Sequence, residues 1–129
     1  MTGVPRSGGE PGSASVLVAV ATVVIVTLGS AGLAVAAAAQ VAATARTAAD
    51  LGALAGATSL IQGLQGSIPG DPCAVAADIV ARNGAVQRSC DLDDEVNLTV
   101  VVAVELPGRL ARLPGVGPAT AAARAGPAP

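Results

Sequence analysis

Few side chains in this 129-residue chain could perform chemistry. The densest polar cluster is Asp91-Leu-Asp93-Asp94-Glu95, which places carboxylates at positions 1, 3 and 5 of a possible calcium-binding loop. Such a loop also needs a glycine at position 6 and a glutamate at position 12, but Val96 and Val102 stand at those positions. We therefore interpret the acidic cluster as a solvated turn and not as a metal site.

Motifs for catalysis or nucleotide binding are also missing from the sequence. The chain has no histidine, which removes the commonest general base and metal ligand. Gly115-Val-Gly117 lacks the third glycine and the preceding strand of a dinucleotide-binding loop. Asn97-Leu-Thr99 matches a glycosylation sequon, but such triplets are common by chance and this one falls inside a predicted strand. The sequence therefore predicts neither an enzyme nor a cofactor-binding protein.

Cys73 and Cys90 are the only cysteines. Two cysteines without histidine supply too few ligands for a structural metal. A disulfide between them would close a loop of about 18 residues and stabilise the fold by about 3 kcal/mol in the chain-entropy model. A core without Phe, Tyr or Trp needs such a cross-link. We therefore predict a Cys73–Cys90 disulfide.

The composition favours a membrane protein. The chain is 52% hydrophobic and 12% charged, whereas soluble domains are about 25% charged. Val16 to Ala39 carry no charge, and a helix of this length is about 36 Å long, enough to cross a hydrocarbon core of about 30 Å. The net charge of −2, with no cluster of arginines, argues against nucleic-acid binding. We predict a single transmembrane helix over residues 13–39 whose partner is the lipid bilayer.

Two features of this span leave alternatives open. Ala37-Ala38-Ala39 resembles a signal-peptide cleavage site, so a secreted protein beginning at Gln40 is one alternative, although signal sequences have shorter apolar runs of about 7–15 residues. The positive-inside rule predicts the orientation of a span from its flanking basic residues, but Arg6 before the span and Arg46 after it nearly balance each other. We expect a cytoplasmic N-terminus because the leader, residues 1–12, is short. The cysteine-bearing part would then lie outside the cytoplasm.

The apolar helix is expected to continue beyond the membrane. No proline occurs between Val16 and Ile68, so we predict one helix from about Ser15 to Leu64, with residues 40–66 as an extension. Arg46 and Asp50 are four residues apart and can pair on one face. A small-residue face on this extension includes a GxxxG motif and predicts close helix packing, although base composition could also explain it. Its residues are Ala45, Ala49, Gly52 and Gly56.

The remaining sequence predicts a small α-plus-hairpin layer over residues 67–106. Asp71 can cap a helix that begins with Pro72 and covers Cys73 to Asn83. Residues 85–92 read as a strand, and 96–106 alternate apolar and polar residues as a half-buried strand does. Residues 107–129 are rich in Pro, Gly and Ala and are predicted to be a disordered tail. The expected fold class is therefore α+β.

Three stretches of this sequence resemble a known family. They are Pro11-Gly-Ser-Ala-Ser-Val16, Arg46-Thr-Ala-Ala-Asp-Leu-Gly-Ala-Leu-Ala-Gly-Ala57, and Cys73 to Cys90 with Asn83-Gly84 between them. The layout is similar to the TadE-like pseudopilins of the Tad/Flp pilus-assembly system, including the short actinobacterial members. The resemblance covers roughly residues 6–106.

The resemblance implies a structural role in pilus assembly or secretion. A prepilin peptidase would cut after Gly12 and leave Ser13 as the new N-terminus. The N-terminal helix would bind other pilin-like or Tad assembly subunits, and its small-residue face would pack against sister helices. Many relatives have glutamate at the fifth position after the cleavage site, where this chain has Leu17. This departure favours a minor or accessory subunit over a major one. A generic single-span anchor that displays a small disulfide-linked binding domain is the alternative.

Overall fold

The computed structural model describes residues 3, 11–66, 70–93 and 96–127. The predicted leader lies outside the described residues apart from Gly3, Pro11 and Gly12, and so do parts of the predicted loop and turn, 67–69 and 94–95. The elements in chain order are α1 (Pro11–Leu64), α2 (Pro72–Arg82), β1 (Val86–Leu92), β2 (Leu98–Val104), the 3-10 helix η1 (Gly108–Arg112) and β3 (Ala119–Ala125). This content confirms the α+β fold class.

The chain divides into two compact units, residues 1–35 and residues 36–129. The described part of the first unit is chiefly the N-terminal portion of α1, where every side chain from Gly12 to Val35 is exposed. The hydroxyls of Thr22 and Thr27 each donate to the carbonyl four residues earlier, at 2.8 Å. These hydroxyls therefore find hydrogen-bond partners within the helix itself.

The second unit, which we call the head, consists of the remainder of α1, α2 and the antiparallel sheet β1-β2-β3. The central strand β2 carries the apolar alternation that the sequence predicts. Its side chains at Leu98, Val100 and Val102 are fully buried and, with Val80 of α2, are the largest that the core encloses. The core is completed by alanines of α1, because only small side chains allow that helix to lie close to the sheet.

Helix α2 forms as its flanking residues predict. The Asp71 carboxylate accepts a hydrogen bond from the backbone N–H of Cys73 at 3.0 Å, and Pro72 occupies the first turn. Both residues suit a helix N-terminus, where the first N–H groups lack partners within the helix. At the other end the Asn83 side chain donates to the carbonyl of Ile79 at 2.8 Å, and Gly84 follows with a φ of +73°. A left-handed residue in this position ends a helix.

Strand β2 is shorter than the predicted strand 96–106. Val96 has a φ of +66°, a conformation that a β-branched residue adopts only where a turn imposes it. The Asp93 carboxylate accepts hydrogen bonds from the Asn97 backbone N–H, at 2.9 Å, and from its side chain. Val96 and Asn97 therefore belong to the turn, and the ladder begins at Leu98.

The predicted disordered tail is wrong for part of residues 107–129, because this region contains η1 and β3. Strand β3 pairs with β2 in antiparallel register, with Leu98 opposite Ala125 and Val104 opposite Ala119. Four alternate alanines of β3 pack against the core: Ala119, Ala121, Ala123 and Ala125. The opposite face carries Thr120, Ala122 and Arg124, but because the core-facing side chains are only alanines, the apolar signal of this strand is weak.

A cross-strand ion pair joins β3 to the β1–β2 turn, between the Arg124 guanidinium and the Asp93 carboxylate. Both side chains are about half exposed, so the pair contributes little to stability. We expect Arg124→Ala to lower the free energy of unfolding by less than about 1 kcal/mol and to speed hydrogen exchange of β3 amides selectively. Arg88→Ala is the matched control, because Arg88 lies 3.7 Å from Glu105. If the β3 amides exchanged at equal rates in the two variants, the Arg124–Asp93 pair would not be what holds β3 to the β1–β2 turn.

Candidate functional site

Helix α1 is long and apolar enough to cross a membrane. Its most apolar window has a mean hydropathy of 2.4, and none of that window is buried. Large apolar side chains in residues 12–35 point outward all around the helix, including Leu17 at 72% exposure and Leu33 at 75%. A helix that is apolar on every side needs an apolar solvent, since burial of each such side chain is worth roughly 1.5–3 kcal/mol. These properties fit a single membrane-spanning helix.

The predicted processing position lies at the start of this helix. Gly12 and Ser13 are exposed in the first turn of α1, and a Cβ built on Gly12 would meet nothing within 4 Å. Packing therefore does not require glycine at this position. The structure places the position immediately before the apolar segment, with Leu17 exposed one turn further on.

The small-residue face lies inside the head. Ala45 and Ala49 are each 1% exposed, and Gly52 and Gly56 are buried as well. A Cβ on Gly52 would lie 2.6 Å from Val80 Cγ2, and one on Gly56 would lie 2.8 Å from the carbonyl oxygen of Pro72 and would also collide with Leu98. The two glycines thus let α1 approach α2 and β2 at backbone distance.

This packing corrects the expected partner of the small-residue face. The resemblance implies that this face packs against sister helices, but the chain's own α2 and β2 cover it. The spacing of small residues predicts close approach of some backbone. It does not distinguish a neighbouring molecule from a later segment of the same chain.

The predicted disulfide is confirmed. Cys73 and Cys90 are bonded, with Cα atoms 5.8 Å apart, and the bridge links the first turn of α2 to β1. Both cysteines pack against the core. Beside the bridge, the Gln87 side-chain amide donates to the Cys73 carbonyl at 3.3 Å. The disulfide and this hydrogen bond attach α2 to one edge of the sheet.

Arg46 and Asp50 do not form the predicted ion pair. Among the described residues the ion pairs are Arg82–Asp78, Arg88–Glu105 and Arg124–Asp93. Arg46 and Asp50 are both exposed on the side of α1 that faces away from the core. Each charge is therefore available to a group outside this chain.

An apolar surface lies on the same side of α1. In the sequence this surface is visible as a stripe of bulkier residues that includes Leu51, Leu54 and Ile61. The sequence does not show that α2 extends the stripe. Leu51 and Leu54 line a groove of about 600 Å³ together with Val75 and Ile79 of α2. We call the exposed residues Arg46, Asp50, Leu51, Leu54, Thr58 and Ile61 the outward face of α1. The groove, in contrast to this face, is formed only when α2 lies beside α1.

The acidic and cysteine side chains of the described residues are the ones that could hold a metal ion. Within the described ranges no three His, Cys, Asp or Glu side chains come together as metal ligands, and Asp93 is engaged by Asn97 and Arg124. The distinctive features are the exposed apolar helix and the disulfide-linked head. Comparison with protein-family models, with curated proteins and with solved structures finds no match for this chain.

Proposed function

We propose that this chain is a minor or accessory pseudopilin of a Tad/Flp-type pilus or secretion system. One observation carries the proposal. Helix α1 begins at Pro11 with an uncharged segment that can span a membrane, and its later residues form part of the core of a small disulfide-linked head. One helix would thus span the membrane and also contribute to the core of the head. This arrangement suits a subunit that leaves the bilayer to join an assembly.

The chemistry of the head supports the proposed orientation. Disulfides persist in oxidising compartments and are rare in the cytoplasm, so the Cys73–Cys90 bridge favours a head outside the cytoplasmic membrane. The N-terminus then lies in the cytoplasm, where a prepilin peptidase would meet Gly12. The partners in this proposal are the bilayer and other pilin-like or Tad assembly subunits. The exposed apolar part of α1 is the surface that would contact them, since its small-residue face is occupied.

Processing after Gly12 is the test of this proposal. We expect full-length protein expressed with an active prepilin peptidase to lose residues 1–12 and to begin at Ser13, as measured by intact mass of membrane-extracted protein. Gly12→Val should block the cleavage, because a bulky residue replaces the small one at the scissile bond. Gly29→Val is the matched control, since both glycines lie in α1 with open space around them. Retention of Met1 in the wild-type protein would contradict the proposal.

A second candidate is a single-span anchor that displays the head as a binding module. Leu17 favours it, because this chain lacks the glutamate that many members of the TadE-like family it resembles have at the fifth position after the cleavage site. This candidate predicts an unprocessed chain in the same mass measurement. A product beginning at Gln40 in the medium would instead identify a secreted protein.

A further inference from the structure

We propose that the outward face of α1 binds a second copy of this chain and forms a parallel dimer in the membrane. The inference rests on the membrane span of the proposed function but not on its processing or its pilus role. Three observations carry it: exposed apolar side chains, a groove beside them, and two exposed charges that form no ion pair with any residue that the structure describes.

The apolar part of the surface is extensive for so small a head. Leu54 is 60% exposed, and Leu51 and Ile61 are about 40% exposed. The groove between α1 and α2 adds Val75 and Ile79 to the same surface. A contiguous apolar surface with a polar border marks an interaction site more often than a free surface.

The charges indicate that the occupant is a second copy. Arg46 and Asp50 border the apolar residues, and neither forms an ion pair within the described chain. They carry opposite charges one helical turn apart, an offset of about 6 Å along the axis, which an arginine side chain spans. In a two-fold dimer, Arg46 of each copy can therefore reach Asp50 of the other. The symmetry repeats this contact, so one surface supplies two ion pairs.

The membrane selects the orientation. Two copies inserted the same way in one bilayer place Arg46 at the same depth in each, so their helices run parallel. A parallel arrangement aligns the Leu54 residues of the two copies and brings Asp50 of each within one turn of the other's Arg46. The α2 groove then lies at the border of the interface, where Ile79 can cover the side chain of Leu51.

Charge reversal tests this arrangement in the full-length protein. Wild-type chains with donor and acceptor fluorophores at their C-termini, reconstituted in phosphatidylcholine vesicles, should show energy transfer that rises with the protein-to-lipid ratio. Arg46→Asp alone and Asp50→Arg alone should each weaken association about tenfold, because like charges then oppose each other twice. A mixture of the two variants should recover wild-type association, since one copy carries two acidic groups and the other two basic groups.

Two further variants make the result specific to this surface. Leu54→Glu should abolish energy transfer, whereas Arg112→Asp, the same charge reversal at an exposed residue of η1, should leave it unchanged. The dimer proposal would be overturned if energy transfer between wild-type chains did not depend on the protein-to-lipid ratio. It would also be overturned if the mixture associated no better than the single variants. Intact masses from the same samples report processing separately. Uncleaved chains that still associate would contradict the pseudopilin proposal and leave the dimer standing.

Discussion

Gly56→Val is expected to lower the free energy of unfolding of the head by about 3 kcal/mol or more. A single Cβ at this position already lies 2.8 Å from the Pro72 carbonyl oxygen and collides with Leu98. The carbonyl belongs to the backbone of the first turn of α2 and cannot rotate away as a side chain could. Valine adds two further methyl groups, so α1 and α2 must separate.

The effect should be visible in denaturant titrations of the detergent-solubilised chain, followed by circular dichroism because the protein has no aromatic fluorophore. Gly32→Val is the control, since it makes the same change in the same helix where nothing lies within 4 Å. The control corrects for the helix propensity of valine. Similar stabilities for the two variants would show that α1 is not held at backbone distance from α2 and β2.

Local signals in the sequence predict much of this fold. The absence of proline between Val16 and Ile68 predicts the long helix, and Asp71 and Pro72 mark the start of α2. The alternation at Leu98, Val100 and Val102 predicts the buried face of β2. Each of these signals lies within one element, where spacing and local hydrogen bonding decide the structure.

The features that the sequence does not reveal depend on segments far apart in the chain. Strand β3 is built almost entirely of alanine, which has low intrinsic preference for strands, and it forms because β2 offers an open edge and a space that fits small side chains. The α1–α2 groove requires Val75 and Ile79 to lie beside Leu51 and Leu54. The spacing of the small-residue face does not identify its partner for the same reason, because tertiary packing decides which segment covers that face.

The double replacement Cys73→Ala and Cys90→Ala is the second change from which we expect a large effect. The bridge spans 17 residues of sequence, and a loop of that length corresponds to about 3 kcal/mol of restricted unfolded-state entropy. No aromatic side chain supports the core, and its four largest fully buried residues are a leucine and three valines. Stability from apolar burial is therefore small, and the loss is a large fraction of the total.

We expect the melting temperature of the head to fall by roughly 12–24 °C in the double variant, as a loss of about 3 kcal/mol predicts for a domain of this size. Thermal unfolding in detergent, followed by circular dichroism, measures this shift. Wild-type protein treated with a thiol reductant should match the variant, which separates the loss of the bond from any effect of the alanines. The circular dichroism signal from the helix over residues 12–35 should persist above the unfolding transition of the head. Detergent covers the apolar side chains of this segment, so its helix does not need the sheet. A melting temperature that stays within a few degrees of wild type would mean that α1, α2 and β2 hold the head together without the bridge.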